Sequence, residues 1–366
     1  MNIVFLTKRY YTNKDLILDK FGRYYEIPFF LANKGVRVNI FGLAYKEKRR
    51  YKVSYFFNDN FNIDMFSLNL KYFLGYFLFL RKLFLFLKGD KPDLLITSGD
   101  VVHIFTGFIV SKLFGINYLV DLCDNIESYP LTKKFIFNKL FKYSVKRATR
   151  GIVVSNNLKK YINEEGYSPD KVYVIGNAAS RKFIKKDKMI FRRKIGLSLS
   201  DKVIGFVGSL YKNRDLEEVL HLFDKLSLEY DDLYLLLAGT FENNIRLPIN
   251  DKMIFVGNID HNDMPYLYSS IDVLIIGLTP DGFGSFCYPQ KLCEAIACEV
   301  PFVAASVGEV NEILKNHPNS LYKYGDINDL YLKVVKKLSG CHCNIKPIYW
   351  EHQAEQVLMV LKEATA

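Results

Sequence analysis

Short apolar runs that stop at glycine recur through the second half of this chain. Ile204-Gly205-Phe206-Val207 leads into Gly208, Leu233 to Ala238 into Gly239, Met253-Ile254-Phe255-Val256 into Gly257, and Val273-Leu274-Ile275-Ile276 into Gly277. Runs this short and this continuous in apolar character suit strands covered on both faces, as in parallel sheets. Parallel neighbours must be joined by crossovers, usually helices, and amphipathic helical stretches do lie between these runs. In such sheets ligands collect beyond the carboxyl ends of the strands, where glycine lets backbone approach a phosphate closely.

The first half shows the same alternation. Ile3 to Leu6 reads as a strand, Arg23 to Asn33 as a helix stopped at Gly35, and Val36 to Phe41 as the next strand. Leu94-Leu95-Ile96, Tyr118-Leu119-Val120, Gly151 to Val154 and Lys171 to Ile175 continue the strands, with a helix over Val101 to Leu113. A chain of 366 residues exceeds what one hydrophobic core usually supports, so two domains are expected. Gly176 to Lys188 has no apolar period and marks the boundary. The fold class is α/β, with a pair of Rossmann-like domains and a ligand site in the cleft between them.

Several functions are disfavoured by what is missing. No G-x-G-x-x-G follows the first strand, and neither a G-x-x-x-x-G-K-[ST] loop nor a G-x-S-x-G elbow occurs. Dinucleotide oxidoreductases, P-loop enzymes and α/β-hydrolases lose weight accordingly. Met1 to Leu6 lacks the basic flank of a secretory signal, and Arg81-Lys82 interrupts the apolar stretch Tyr72 to Leu87, so neither export nor a membrane span is expected. The six cysteines show no framework spacing, which fits a reducing compartment, and Cys341-His342-Cys343 lacks the second ligand pair of a zinc site.

The richest segment runs from Asp281 to Cys298: Asp281-Gly282-Phe283-Gly284-Ser285-Phe286-Cys287-Tyr288, then Pro289-Gln290-Lys291-Leu292-Cys293-Glu294. Pro289 suits a first helical turn, where its missing N–H costs nothing. The loop before it supplies backbone donors, and the helix start adds the positive end of its dipole, a setting that favours an anionic diphosphate. Lys291 and Glu294, three apart, share a helix face. A cation for phosphates and a carboxylate one turn later to accept from ribose hydroxyls is the pairing a nucleotide sugar needs; a surface Lys–Glu pair is the plainer alternative.

This segment resembles the nucleotide-binding motif of family 4 glycosyltransferases of the GT-B fold, E-G-F-G-x-x-x-x-E-A-x-A-C-G-x-P-V-V. Here Asp281-Gly282-Phe283-Gly284 is followed by Glu294-Ala295-Ile296-Ala297-Cys298-Glu299-Val300-Pro301-Phe302-Val303, with Pro289-Gln290-Lys291-Leu292 similar to a P-x-K-x-x-E variant. Gly208-Ser209-Leu210-Tyr211-Lys212-Asn213-Arg214-Asp215 resembles the family's G-R-L-x-x-x-K-G, Arg214 fitting its second cation and Ser209 replacing the first, with Lys212 or Lys291 as substitute. Val174-Ile175-Gly176-Asn177 is similar to V-I-P-N, and Trp350-Glu351 to the start of a terminal helix that crosses back to the first domain. The resemblance implies an acceptor domain over 1–178, a donor domain over 179–347 and a returning helix over 348–366. It assigns donor binding to Gly208, Ser209, Lys212, Arg214, Gly284, Ser285, Lys291, Leu292 and Glu294. In the first half the family's glycine-rich loop is reduced to Gly22 beside Arg23, an expected acceptor-binding pair. The family's histidine after the fourth strand is replaced within Asp121-Leu122-Cys123-Asp124, which leaves Asp121 and Asp124 as catalytic candidates, or else as a cap or turn.

The implied reaction moves a sugar from a nucleoside diphosphate, most simply a UDP-sugar, to a hydroxyl with retention of configuration. The leaving diphosphate acts as base, and neither a metal nor a further cofactor is expected. The formal charge of +11 calls for an anionic partner. Lys133, Lys134, Lys139, Lys142, Lys146, Arg147 and Arg150 interleaved with aromatic residues, and the aromatic stretch after Tyr72, fit an anionic membrane surface and a lipid-linked or oligosaccharide acceptor, although core helices explain the apolar part equally well. A cytoplasmic protein peripheral on the inner face of the cytoplasmic membrane is the expected location. Nucleic acid is not an expected partner, since no recognised module accompanies the charge. A sugar-nucleotide 2-epimerase and a non-catalytic nucleotide-sugar-binding partner are the competing readings.

Overall fold

The computed structural model describes residues 1–11, 14–45, 52–67, 74–208, 210, 216–241 and 250–365. The chain divides into two compact units, one of Met1–Asn177 with Trp350–Ala366 and the other of Ala178–Tyr349.

In the first unit an eight-stranded sheet runs in the order Val172–Val174, Arg150–Val153, Asn117–Leu122, Leu94–Ser98, Asn2–Lys8, Arg37–Ala44, Phe61–Ser67, Lys52–Asn58. Every pairing is parallel except the last, where Lys52–Asn58 returns antiparallel beside Phe61–Ser67. The first strand, the apolar run after Met1, is central: Ile3, Val4 and Leu6 have no exposed surface. The carboxyl ends of Asn2–Lys8, Leu94–Ser98 and Asn117–Leu122 therefore reach the same edge side by side. Helix Arg23–Asn33 starts at Gly22, whose φ of 70° is natural for glycine and strained for residues with a Cβ.

The closing helix Trp350–Thr365 packs against helix Arg23–Asn33, burying Trp350, Val357 and Leu361. Each such side chain contributes roughly 1.5–3 kcal/mol. Gln353 Nε2 also donates to the carbonyl of Gly176 at 3.0 Å, tying the helix to the end of the last strand of its unit.

The second unit holds a six-stranded, wholly parallel sheet in the order Met253–Phe255, Leu233–Ala238, Lys202–Val207, Val273–Ile276, Phe302–Ala305, Leu321–Tyr322. The glycine-terminated runs supply four of its strands, and Leu235, Leu236, Leu237, Leu274 and Ile275 are fully buried. At the amino ends of these strands the guanidinium of Arg192, without exposed surface, donates to the carbonyls of Ser270 (2.9 Å), Ser198 (2.8 Å) and Asp201 (2.6 Å) and pairs with Asp272 at 2.7 Å. Asp272 in turn accepts from the N–H of Val203 at 2.7 Å, so one arginine ties helix Lys188–Lys194 to two strand starts.

Removal of that guanidinium leaves three carbonyls short of a donor, while the partly buried Asp272 keeps Lys188 and the Val203 N–H. Arg192→Met is expected to cost about 2–3 kcal/mol, read as a lower denaturation midpoint, whereas Arg193→Met, one residue on, should change it by less than about 0.5 kcal/mol.

Candidate functional site

The second unit gathers its polar groups at the carboxyl ends of its strands. Gly208 and Gly239 follow the neighbouring strands Lys202–Val207 and Leu233–Ala238, both with positive φ, and a Cβ on Gly239 would fall 1.7 Å from the Gly208 carbonyl oxygen. Side chains are thus excluded from this edge, and backbone is presented in their place. The ammonium of Lys291 reaches the same spot: it donates to the Val207 carbonyl at 2.7 Å and would lie 3.0 Å from a Cβ on Gly208.

Lys291 comes from helix Gln290–Ala297, with Pro289 at its N-cap. The preceding turn is organised by Asp281, whose Oδ1 accepts from the N–H groups of Phe283 (2.8 Å) and Gly284 (2.7 Å) and whose Oδ2 accepts from Thr279 (3.0 Å). This Asx turn makes Asp281 a builder of the loop. Gly284 is buried against the Thr279 carbonyl, and Gly308 packs on the Gly284 and Ser285 carbonyls; no larger residue fits at either glycine. Ser285 is half-buried beside them.

Glu294 lies one turn after Lys291, is only 6% exposed, and its Oε2 accepts from the Tyr268 hydroxyl at 2.9 Å. Burial pushes its carboxyl up to about 7, against the opposing pull of Tyr268, Gln290, Lys182 and Lys291. An acid of that kind is half-charged near neutrality and has a partner ready to steady either form. Leu292 belongs elsewhere: its side chain is fully buried and its N–H donates to the Pro289 carbonyl at 3.1 Å, so the donor-binding role expected of it gives way to core packing. Ser209, Lys212 and Arg214 lie outside the described residues.

The first unit places its candidates at the carboxyl edge of the other sheet. Arg23 Nε faces both Asp121 oxygens, at 2.9 and 2.8 Å, while its NH1 donates to the Ile175 carbonyl at 2.7 Å. Both side chains are buried. Asp121, expected as a catalytic carboxylate, and Arg23, expected at the acceptor, are instead partners in one ion pair that joins the first helix to two strand ends. Asp124 Oδ2 accepts from two hydroxyls, Tyr11 at 2.8 Å and Tyr129 at 2.9 Å. Burial and the Asp124 charge hold both phenols well above their ordinary range, so they stay donors. Asp124 is thereby an anchor for two rings, a role the paired-acid pattern did not reveal. A Cβ on Gly22 would meet nothing within 4 Å, and the space beside it is open.

Two groups escaped the sequence reading altogether. Tyr268 sits on a separate helix, Met264–Ser270, and nothing in its local sequence marks it as the partner of Glu294. Asp100 both caps helix Val101–Phe114 and contacts His103 Nδ1 at 2.8 Å; burial would raise its carboxyl, but His103, Tyr45 and Lys8 bring it down to about 2. Among the described residues no cluster of His, Cys, Asp and Glu has the makings of a metal site.

The raised Glu294 carboxyl has a sign that can be checked. Between its ordinary 4.5 and about 7 the native state keeps a proton that the unfolded chain has lost, so stability falls as pH rises through that window. Glu294→Gln, which keeps an acceptor for Tyr268, should flatten that fall and give a higher Tm than wild type at pH 8, measured by thermal unfolding across pH.

Two family models match this chain: Glycosyltransferase Family 4 over residues 26–181 and Glycosyl transferases group 1 over residues 187–340. A Staphylococcus aureus capsular polysaccharide biosynthesis glycosyltransferase, CapM, is 24% identical over 85% of this chain and 82% of its own. An uncharacterized glycosyltransferase of Methanocaldococcus jannaschii is 30% identical over 186 residues, which is 47% of this chain and under half, 46%, of that relative. Among solved structures, a glycosyltransferase from Rickettsia africae superposes with a TM-score of 0.74 at 15% identity, covering 99% of this chain and 98% of that one. The UDP-glucose complex of HepE from Anabaena gives 0.67 at 17% identity, covering 100% and 98%. The matches take in both units, and the chain belongs to the family 4 glycosyltransferases of the GT-B fold, enzymes that transfer a sugar from a nucleotide-sugar donor.

Proposed function

We propose that this enzyme takes its sugar from a UDP-sugar held by the second unit and passes it, with retention of configuration, to a hydroxyl of a lipid-linked saccharide at an anionic membrane surface. The observation that carries the donor half is the convergence of Lys291, Glu294, Gly208 and Gly284–Ser285 on one sheet edge. Lys291 would lie against the diphosphate, and the helix start and glycine-bounded backbone would supply N–H donors to the same charge. Glu294 would accept from the ribose hydroxyls as its carboxylate. The departing diphosphate would take the proton of the acceptor hydroxyl on the face it leaves, which asks no protein carboxylate to act as base. Family membership favours transfer over the epimerase and the non-catalytic readings.

The membrane half rests on three helices of the first unit, Leu74–Gly89, Val101–Phe114 and Phe135–Val145, that pack side by side. Phe84 meets Phe114 with ring centroids 4.8 Å apart, and Phe108 meets Tyr143 at 5.3 Å. Of the apolar stretch read from the sequence, Tyr72 and Phe73 lie outside the described residues. The helices leave Phe77 63%, Leu113 67%, Phe135 74% and Ile136 64% exposed. None of the three contains an aspartate or glutamate, while Arg81, Lys88, Lys112 and Lys139 are exposed on them. Apolar side chains to enter the headgroup region and cations to meet lipid phosphates are what an interfacial surface requires. Among the described residues no helix is long and apolar enough to cross a membrane.

A donor screen with membrane lipid extract checks the transfer. Release of one nucleoside diphosphate that depends on lipid, with at least a hundredfold loss in Glu294→Ala, is the expected result; binding without turnover of any donor would overturn it. Flotation with vesicles checks the surface. Binding to phosphatidylglycerol but not phosphatidylcholine vesicles is expected, weakened by salt and by at least tenfold in the Phe77→Ser, Phe135→Ser double variant, whereas equal recovery of that variant would remove these helices from the membrane contact.

A further inference from the structure

We propose that Lys8 is the acceptor-recognition residue of the first unit and that it selects an acceptor bearing an anionic oxygen, of a phosphate or a carboxylate, near the hydroxyl that receives the sugar. This rests on the transferase reading above and concerns the chemistry of the acceptor alone.

Lys8 is the last residue of the central strand Asn2–Lys8, at the edge where parallel sheets bind ligands. Its ammonium lies 4.6 Å from the ring centroid of Tyr129 and 5.4 Å from that of Tyr11. Both hydroxyls of those rings are fastened to Asp124 Oδ2, so the rings form a fixed cradle. Ordering a lysine side chain normally costs rotamer entropy, and here the cradle imposes that order before any ligand arrives.

Among the described residues, two arginines near this edge are paired with carboxylates. Arg23 is paired with Asp121 at 2.8 Å and Arg9 with Asp15 at 2.9 Å. Lys8 is half-buried, yet among the described residues it has neither a hydrogen bond nor an ion pair. A partly buried ammonium has three donors to satisfy, and the ring faces engage its charge without accepting its N–H bonds. The two nearby acids do not supply the missing acceptors: Asp124 is engaged by the tyrosines and Asp100 by His103 and two helix N–H groups. An anionic oxygen brought in by the acceptor would accept from the Lys8 donors.

Two buried hydroxyls lie at the same edge. Thr7 and Ser98 are each 1% exposed, and their hydroxyls have no hydrogen-bond partner among the described residues. Leu6 stands beside Thr97 in the sheet register, which puts Thr7 and Ser98 on the same level, and a Cβ on Gly99 would come within 3.4 Å of Thr7 Oγ1, 3.1 Å of the Lys8 backbone nitrogen and 3.3 Å of Lys8 Cγ.

Calorimetric titration of the full-length protein, held in saturating UDP to fill the donor site, with glucose 1-phosphate, glucuronate and glucose tests this. Wild type should bind one of the two anions at least tenfold more tightly than glucose, the phosphate pointing to a phosphorylated acceptor and the glucuronate to an acidic sugar. Lys8→Met should abolish that preference and Lys8→Arg should restore most of it, with the fluorescence of Trp350, buried in the same unit, unchanged in both. Equal affinity of wild type for all three, or an anion preference that survives Lys8→Met, overturns the proposal. Failure of wild type to bind UDP would instead strike at the donor reading on which it rests.

Discussion

Parallel pairing of strands buried on both faces is the constraint from which the remaining features of each unit follow. A strand such as Leu233–Ala238 can satisfy its backbone only against neighbours, and a parallel neighbour can be reached only by a crossover, as helix Leu216–Ser227 makes from Lys202–Val207 to Leu233–Ala238. Repeated crossing brings every carboxyl end to the same edge. That edge is where backbone N–H groups and helix starts are left without strand partners, and it is where Gly208, Gly239 and Lys291 meet in the second unit and Lys8, Ser98 and Asp121 meet in the first. The polar groups at the opposite edge do different work, as Arg192 shows: it is spent on carbonyls and Asp272, leaving no donor for a ligand.

The two edges are built on different electrostatic plans. In the second unit a carboxylate is buried with no ion pair to it among the described residues, and burial moves Glu294 to a value near neutrality while Tyr268 steadies it. Such a group costs stability whenever it is charged, which is the usual trade between a prepared site and a relaxed one. In the first unit the carboxylates are already paired, Asp121 with arginine and Asp124 with two phenols, so the acids are structural and the group left open is a cation. The retaining mechanism proposed above fits this division, because it leaves the proton to the donor's own diphosphate.

Legibility differed by the range of the interaction. The alternation of strands and helices, the start of helix Arg23–Asn33 and the turn into helix Gln290–Ala297 were readable, since each depends on residues within a few positions. The loop at Asp281 was read as a site feature, and the Asx turn adds a local reason for an acid there. Leu292 was carried along with its neighbours in the motif, yet a helix turns each residue by 100° from the last, and this one faces the core.

What the sequence by itself determined is the set of local choices: apolar runs too short and too continuous for anything but buried strands, glycines where backbone must turn or approach closely, and a lysine and a glutamate on one face of a helix. Tertiary structure alone decided which distant groups became partners. Arg23 is 98 positions from Asp121, Tyr11 is 113 from Asp124, and Tyr268 is 26 from Glu294. Whether a carboxylate accepts a ligand, an arginine or a phenol depends on which donor the packing brings within about 3 Å of it, and that distance is set by how strands and helices stack, on which the spacing of residues along the chain has no hold.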